Sequence, residues 1–191
     1  MQPTEKLSKL GIVLPLAPDA AGLYKPVLLE QNLLYFSGHL PLQVDGSMVT
    51  GKMGADLRTE EGKDAARLVG LNILASVKTH LGSIDRIERV VKLLGMVNAV
   101  DSYTEHPLVI NGCSELFKEV WGEDLGVGVR SAYGVSGLPG GAAVEIEAIL
   151  KIKGNPKFYR DSIKKNLKTT FSIENSILSY HELLKNLTFN N

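Results

Sequence analysis

The chain has 191 residues, 44% of them hydrophobic and 22% charged, which is enough apolar content for one ordinary core and too little length for two. Its 21 basic and 21 acidic residues cancel overall but not locally: residues 151–191 hold eight Lys or Arg against three acids, a net of +5, and residues 1–150 hold thirteen against eighteen, a net of −5. An acidic body lacks the clustered basic surface that phosphate backbones require, so no nucleic-acid partner is expected for the core, and any such attraction would belong to the tail.

Thr4 and the following residues to Gly11 form a short helical segment, with Thr4 as cap, Gly11 as stop, and Leu7 and Leu10 facing inward. Val27 to Leu29 and Leu33 to Ser37 are predicted as short strands around a Glu-Gln-Asn turn, and Asp45-Gly46 supplies the positive φ angles of another tight turn. From Thr59 the period changes: Ala65, Ala66, Val69, Ile73, Val77 and Leu81 share one helical face, with Thr59 as cap and Gly82 as stop. Ile87 to Val100 is rich in Val, Leu and Ile and fits a long buried strand. Pro107 opens a second helix that closes at Trp121-Gly122. Val127 to Val135 and Ala143 to Lys151 are the last strands, and Leu138-Pro139-Gly140-Gly141 between them predicts an antiparallel hairpin.

This order gives an α+β domain over residues 1–153, a mixed sheet with both long helices on one face. The other face then needs a cover. Within residues 1–150 no further apolar helix remains to supply it, so a second copy of the chain is the expected cover and an oligomer follows. Gly154-Asn155-Pro156 breaks the pattern, and residues 154–191 read as a basic, partly ordered appendage.

Cys113 is the only cysteine, which rules out an intrachain disulfide and favours a reducing compartment. His39, His80, His106 and His181 are scattered and leave no ligand set for structural zinc. No run approaches the roughly 18 apolar residues of a membrane span, and the first 18 residues have neither an apolar signal core nor a transit-peptide character. A cytoplasmic protein without membrane association, metal or organic cofactor is expected. There is no phosphate loop, no GxSxG elbow and no HExxH.

Arg130 in an apolar strand, and Glu145 and Glu147 alternating with Val144, Ile146 and Ala148, are the residues that stand out. On pattern alone the two carboxylates line either a solvated sheet face or a site, and Arg130 either pairs with one of them or holds a ligand. Arg130-Ser131-Ala132, Leu138-Pro139 and Val144-Glu145-Ile146-Glu147-Ala148-Ile149 resemble the C-terminal signature of the YjgF/Rid family, the reactive intermediate deaminases also described as endoribonuclease L-PSP-like. Gly22-Leu23-Tyr24 and Tyr35-Phe36-Ser37-Gly38-His39-Leu40-Pro41 resemble the family's upstream segments in order and spacing, so that the resemblance covers residues 13–152.

That resemblance implies a chorismate-mutase-like homotrimer with clefts between subunits, and hydrolysis of enamines and imines such as 2-aminoacrylate. It implies that Arg130 grips a small substrate's carboxylate, which a planar guanidinium does bidentately, and that Glu145 orders or activates water. Tyr24, Ser37, Gly38 and Asn111 match cleft-lining positions. His39 stands where Gln is usual, Leu23 where Pro precedes Tyr24, and Ala132 where Cys is common, which marks a divergent branch; His39 is expected either in the cleft or on the surface at a strand end. Two rival readings differ in class. The same cleft could bind 2-oxo acids without turnover, as a sensing or regulatory module, or cleave RNA, which the acidic core disfavours.

Overall fold

The computed structural model describes residues 1–154, and the expected appendage beyond Gly154 falls outside the described residues. The elements in chain order are α1 (Pro3–Lys9), β1 (Val27–Glu30), β2 (Leu33–His39), α2 (Thr59–Leu81), β3 (Ile87–Asn98), α3 (His106–Trp121), the single turn α4 (Glu123–Gly126), β4 (Val129–Val135) and β5 (Val144–Ile152). They build an α+β fold, a five-stranded mixed sheet in the order β1-β2-β5-β3-β4.

Every strand pair is antiparallel except β3 and β4, which run parallel with Leu93 opposite Arg130. The expected hairpin between the last two strands is therefore corrected: β5 pairs with β2 and β3, and β4 lies at the sheet edge. Burial explains the choice. Strand β5 places Val144, Ile146, Ala148, Leu150 and Ile152 on one face, all buried, and gains most at the sheet centre. Strand β4, with Ser131, Tyr133 and Gly134 exposed, tolerates an edge. A parallel pair needs a crossover, and α3 between β3 and β4 supplies it.

Both long helices pack on one face, as the hydrophobic period requires. Leu34, Phe36, Val90, Leu93 and Val97 from the sheet meet Ala66, Val69, Ile73 and Val77 of α2 and Ile110, Leu116 and Phe117 of α3, all of them buried. Each such large apolar side chain stabilises the fold by roughly 1.5–3 kcal/mol relative to exposure. The helices approach so closely that a Cβ at Gly112 of α3 would stand 1.9 Å from the Lys63 carbonyl of α2. The opposite sheet face carries Leu28, Tyr35, Val129 and Tyr133, all exposed, with the half-buried Leu94 and Ile149 between them. Neither long helix covers it.

Local caps differ from expectation. Arg58 rather than Thr59 occupies the N-cap of α2, and the Glu61 carboxylate accepts the Arg58 backbone N–H at 2.9 Å. The Thr59 hydroxyl is bonded instead to the Tyr103 hydroxyl (2.8 Å) and to Glu105. Thr4 lies inside α1, and its amide and hydroxyl both donate to Asp85 (2.8 and 2.9 Å). Leu7 is buried but Leu10 is half exposed. Gly82 ends α2 as expected, with φ +79° and its N–H on the Lys78 carbonyl.

Candidate functional site

Strands β2 and β5 lose register in one place. Phe36 pairs with Ala148 and His39 with Ile146, so Ser37 and Gly38 together oppose the single residue Glu147, which is a β-bulge. Bulges bend a strand and re-aim what it carries. Here the Ser37 hydroxyl donates to the Lys25 carbonyl (2.7 Å) and the Ser37 N–H to the Pro26 carbonyl (3.0 Å), tying the bulge to the segment that holds Tyr24. The Tyr24 ring is half exposed, and its hydroxyl accepts the Ala21 N–H at 3.2 Å.

The Glu145 side chain lies directly over Gly38: a Cβ built there would fall 1.7 Å from its Oε1. Burial of Glu145, and to a lesser degree the neighbouring charge of Glu147, raises its carboxyl above the usual range. A carboxyl so placed holds its proton more readily than a fully solvated one, which suits it to passing protons to and from a bound water.

His39 is neither in a cleft nor on the surface. It is 4% exposed, on the helix side of the sheet, with Nδ1 2.7 Å from the Ser37 carbonyl and Nε2 2.9 Å from the Ser76 hydroxyl of α2. Burial lowers its tendency to protonate, the Ser37 carbonyl opposing and His80 adding to the effect.

Arg130 sits on edge strand β4 and leans onto α3. Its Nη1 donates to Asn111 Oδ1 (2.9 Å) and Ser114 Oγ (3.0 Å), and its Nη2 to the Pro107 carbonyl (3.3 Å). All three acceptors are neutral, and among the described residues the guanidinium has no ion-pair partner. It is an oriented, half-buried cation whose charge is uncompensated, a ready point for a carboxylate. Ser114 was not singled out from sequence, yet it lies three residues after Asn111 on α3, the spacing that puts two side chains on one helical face. Cys113 between them is fully buried, and its thiol is pushed up to about 12 by that burial, with Arg130 pulling weakly the other way. A thiol in that state is inert as a nucleophile.

The two groups of residues do not meet within one chain. Across β3, Arg130 pairs with Leu93 and so shares the helix face, whereas Glu145 and Tyr133 both pair with Met96 on the open face. Among the described residues no cluster of His, Cys, Asp or Glu is placed to hold a metal, and no helix is long and apolar enough to cross a membrane.

A mixed sheet backed by two helices, with an arginine on the edge strand and a glutamate on the open face, is an architecture that occurs in known proteins. Residues 4–139 match the family described as "YjgF/chorismate_mutase-like, putative endoribonuclease", and the chain belongs to this family. Protein TCP17 of Trypanosoma cruzi is 42% identical over 146 residues, covering 76% of this chain and 91% of that protein. The crystal structure of Atu1372, a protein of unknown function from Agrobacterium tumefaciens, is similar with a TM-score of 0.72 at 42% identity, covering 79% of this chain and 94% of that one. A "putative endoribonuclease" from Shewanella oneidensis has a TM-score of 0.76 at 29% identity, covering 80% of this chain and all of that one. The resemblance read from the motifs holds for family and for fold.

Proposed function

We propose that the protein hydrolyses small imines or enamines bearing a carboxylate, releasing a 2-oxo acid and ammonia, in a cleft formed between copies of itself in a homotrimer. The observation that carries this reading is Arg130, held in place by three neutral acceptors with its charge left for a ligand. Placement of Glu145 on the opposite sheet face supports a shared cleft, since only a second copy can bring such a carboxyl to the arginine. The exposed Leu28, Tyr35, Val129 and Tyr133 on the open face, set among Lys92, Glu145, Glu147 and Lys151, support the same conclusion, because uncovered apolar side chains in one region mark contact surfaces.

The chemistry asks little of the protein. A protonated imine is already electrophilic, and water adds to its carbon once both are held in line. Arg130 anchors the carboxylate. An enamine first gains a solvent proton at carbon to become the imine. Glu145 then takes a proton from the attacking water and passes it to the nitrogen, and the carboxylate accepts the hydroxyl proton as the carbinolamine collapses, the C–N bond breaks and ammonia leaves with the 2-oxo acid. No nucleophilic side chain is needed, so Ala132 at a position where cysteine is common does not prevent the reaction.

A coupled assay that generates 2-aminoacrylate or a related imine tests the proposal. The protein should accelerate its decay, and Glu145→Gln should lower turnover by about 10² to 10⁴ while 2-oxo acid binding survives. Co-assembled Arg130→Lys and Glu145→Gln copies should recover, in the sites that combine the two intact residues, the affinity lost in the first and the turnover lost in the second. Binding of 2-oxo acids with an unchanged decay rate would instead make this a ligand-binding module.

A further inference from the structure

Ser37 ties one side of the bulge to Lys25 and Pro26, but Gly38 beside it accepts many backbone conformations. Yet it must hold one of them for Glu145 to lie over Gly38. We infer that His39 is the positioning residue of this site: its buried imidazole clamps the bulge to α2 and so fixes Gly38 beneath Glu145.

The hydrogen bonds determine the state of the ring. A bulge disrupts the ladder, and its backbone groups need other partners; the Ser37 carbonyl takes His39 Nδ1 at 2.7 Å. A carbonyl only accepts, so Nδ1 carries the hydrogen. In the neutral ring Nε2 is then an acceptor, and the Ser76 hydroxyl at 2.9 Å is its donor. Burial independently favours the neutral ring. The chain of contacts runs from the rigid 23-residue helix α2 through Ser76 and His39 to the Ser37 carbonyl, one residue from Gly38. Phe36 steadies the ring from the side, edge-on at 5.9 Å.

The activity consequence rests on the deaminase reading, and the structural consequence does not. With the clamp removed, Gly38 shifts and Glu145 loses its seat. Arg130, bonded to α3 at the edge of the sheet, keeps its grip on the carboxylate. The loss therefore falls on kcat and not on KM.

Three forms of the full chain test this: wild type, His39→Asn, whose side-chain amide places a donor where Nδ1 lies, and His39→Leu, which fills the volume without polar atoms. Nitrogen-15 spectra of wild type should show a protonated Nδ1 and a bare Nε2 at neutral pH. The Gly38 amide resonance should move in His39→Leu and return towards its wild-type position in His39→Asn. In imine hydrolysis kcat should fall about ten- to a hundred-fold in His39→Leu, with KM changed by less than about threefold, and recover largely in His39→Asn. The opposite tautomer, or a His39→Leu protein with wild-type Gly38 resonance and kcat, overturns the inference. If wild type does not hydrolyse imines, the functional proposal fails and the Gly38 resonance alone decides this one. If His39→Leu does not fold, the wild-type tautomer and the His39→Asn spectrum decide it.

Discussion

Glu145 uses the space that the missing side chain of Gly38 leaves, with its Oε1 1.7 Å from where a Cβ would be. Gly38→Ala must therefore displace the carboxylate, which is the mobile end of a flexible side chain. Stability should change by no more than about 1 kcal/mol, the usual scale of a Gly-to-Ala exchange that the backbone accepts. Imine hydrolysis should fall about tenfold or more, since small misplacements of reacting groups are costly. Urea unfolding and steady-state kinetics on the same preparation measure both.

The neutral partners of Arg130 predict how carboxylate binding will respond. Arg130→Lys keeps the charge but loses the planar fork, and one lost charge-assisted bond should weaken binding of a small 2-oxo acid by about 1.5–3 kcal/mol. Asn111→Asp leaves the arginine intact and gives it an internal anion at 2.9 Å from Nη1. Affinity should again drop, by about tenfold or more, because the guanidinium is now neutralised before the ligand arrives. Titration calorimetry reads both variants; wild-type affinity in Asn111→Asp would mean that the ligand carboxylate lies elsewhere.

Glu145 also has a stability signature. Burial, with Glu147 adding to it, raises its carboxyl in the folded state above its unfolded value. Such a group binds its proton more tightly when folded, so its favourable contribution is complete below the ordinary carboxylate range and is lost as pH rises through the raised value. Glu145→Gln, which cannot ionise, should accordingly be more resistant to urea than wild type at neutral pH. The gap should close on acidification below the ordinary range. Urea midpoints across that interval check the sign.

The open sheet face predicts assembly. Ile149 lies at its centre, opposite Tyr35 on β2 and Lys92 on β3. Wild type should sediment with three times the mass of the chain. If this face is the contact, Ile149→Asp places a charge at its centre beside Tyr35 and Lys92 and should yield a single-chain species with unchanged far-ultraviolet circular dichroism, because the helix-side core is untouched. Trimers of undiminished stability in Ile149→Asp would exclude this face as the interface.

The elements whose signal is local were legible in the sequence. The apolar spacing from Ala65 to Leu81 and the Val-rich run after Ile87 define α2 and β3 within a few residues, because helix and strand periods are properties of neighbouring positions. Arg130, Asn111, Gly38 and Glu145 were legible as motif positions. Ser114 was legible only in principle, through its spacing from Asn111.

Non-local choices were decided by the tertiary structure. Nothing in the turn at Leu138-Pro139-Gly140-Gly141 reveals that β5 leaves β4 to pair with β2 and β3, since that preference comes from how much apolar surface each strand can bury. Thr4 and Thr59 look like caps by composition, but Asp85, Tyr103 and Glu105, all distant in sequence, take their hydroxyls. His39 shows the reason most clearly. Counted by strict alternation from the buried Leu34 and Phe36, Gly38 would face the helices and His39 the open side. The bulge at Ser37-Gly38 inserts one residue and reverses that parity, sending His39 into the core and leaving Gly38 under Glu145. A bulge is a relation between two strands, and one strand's sequence does not contain it.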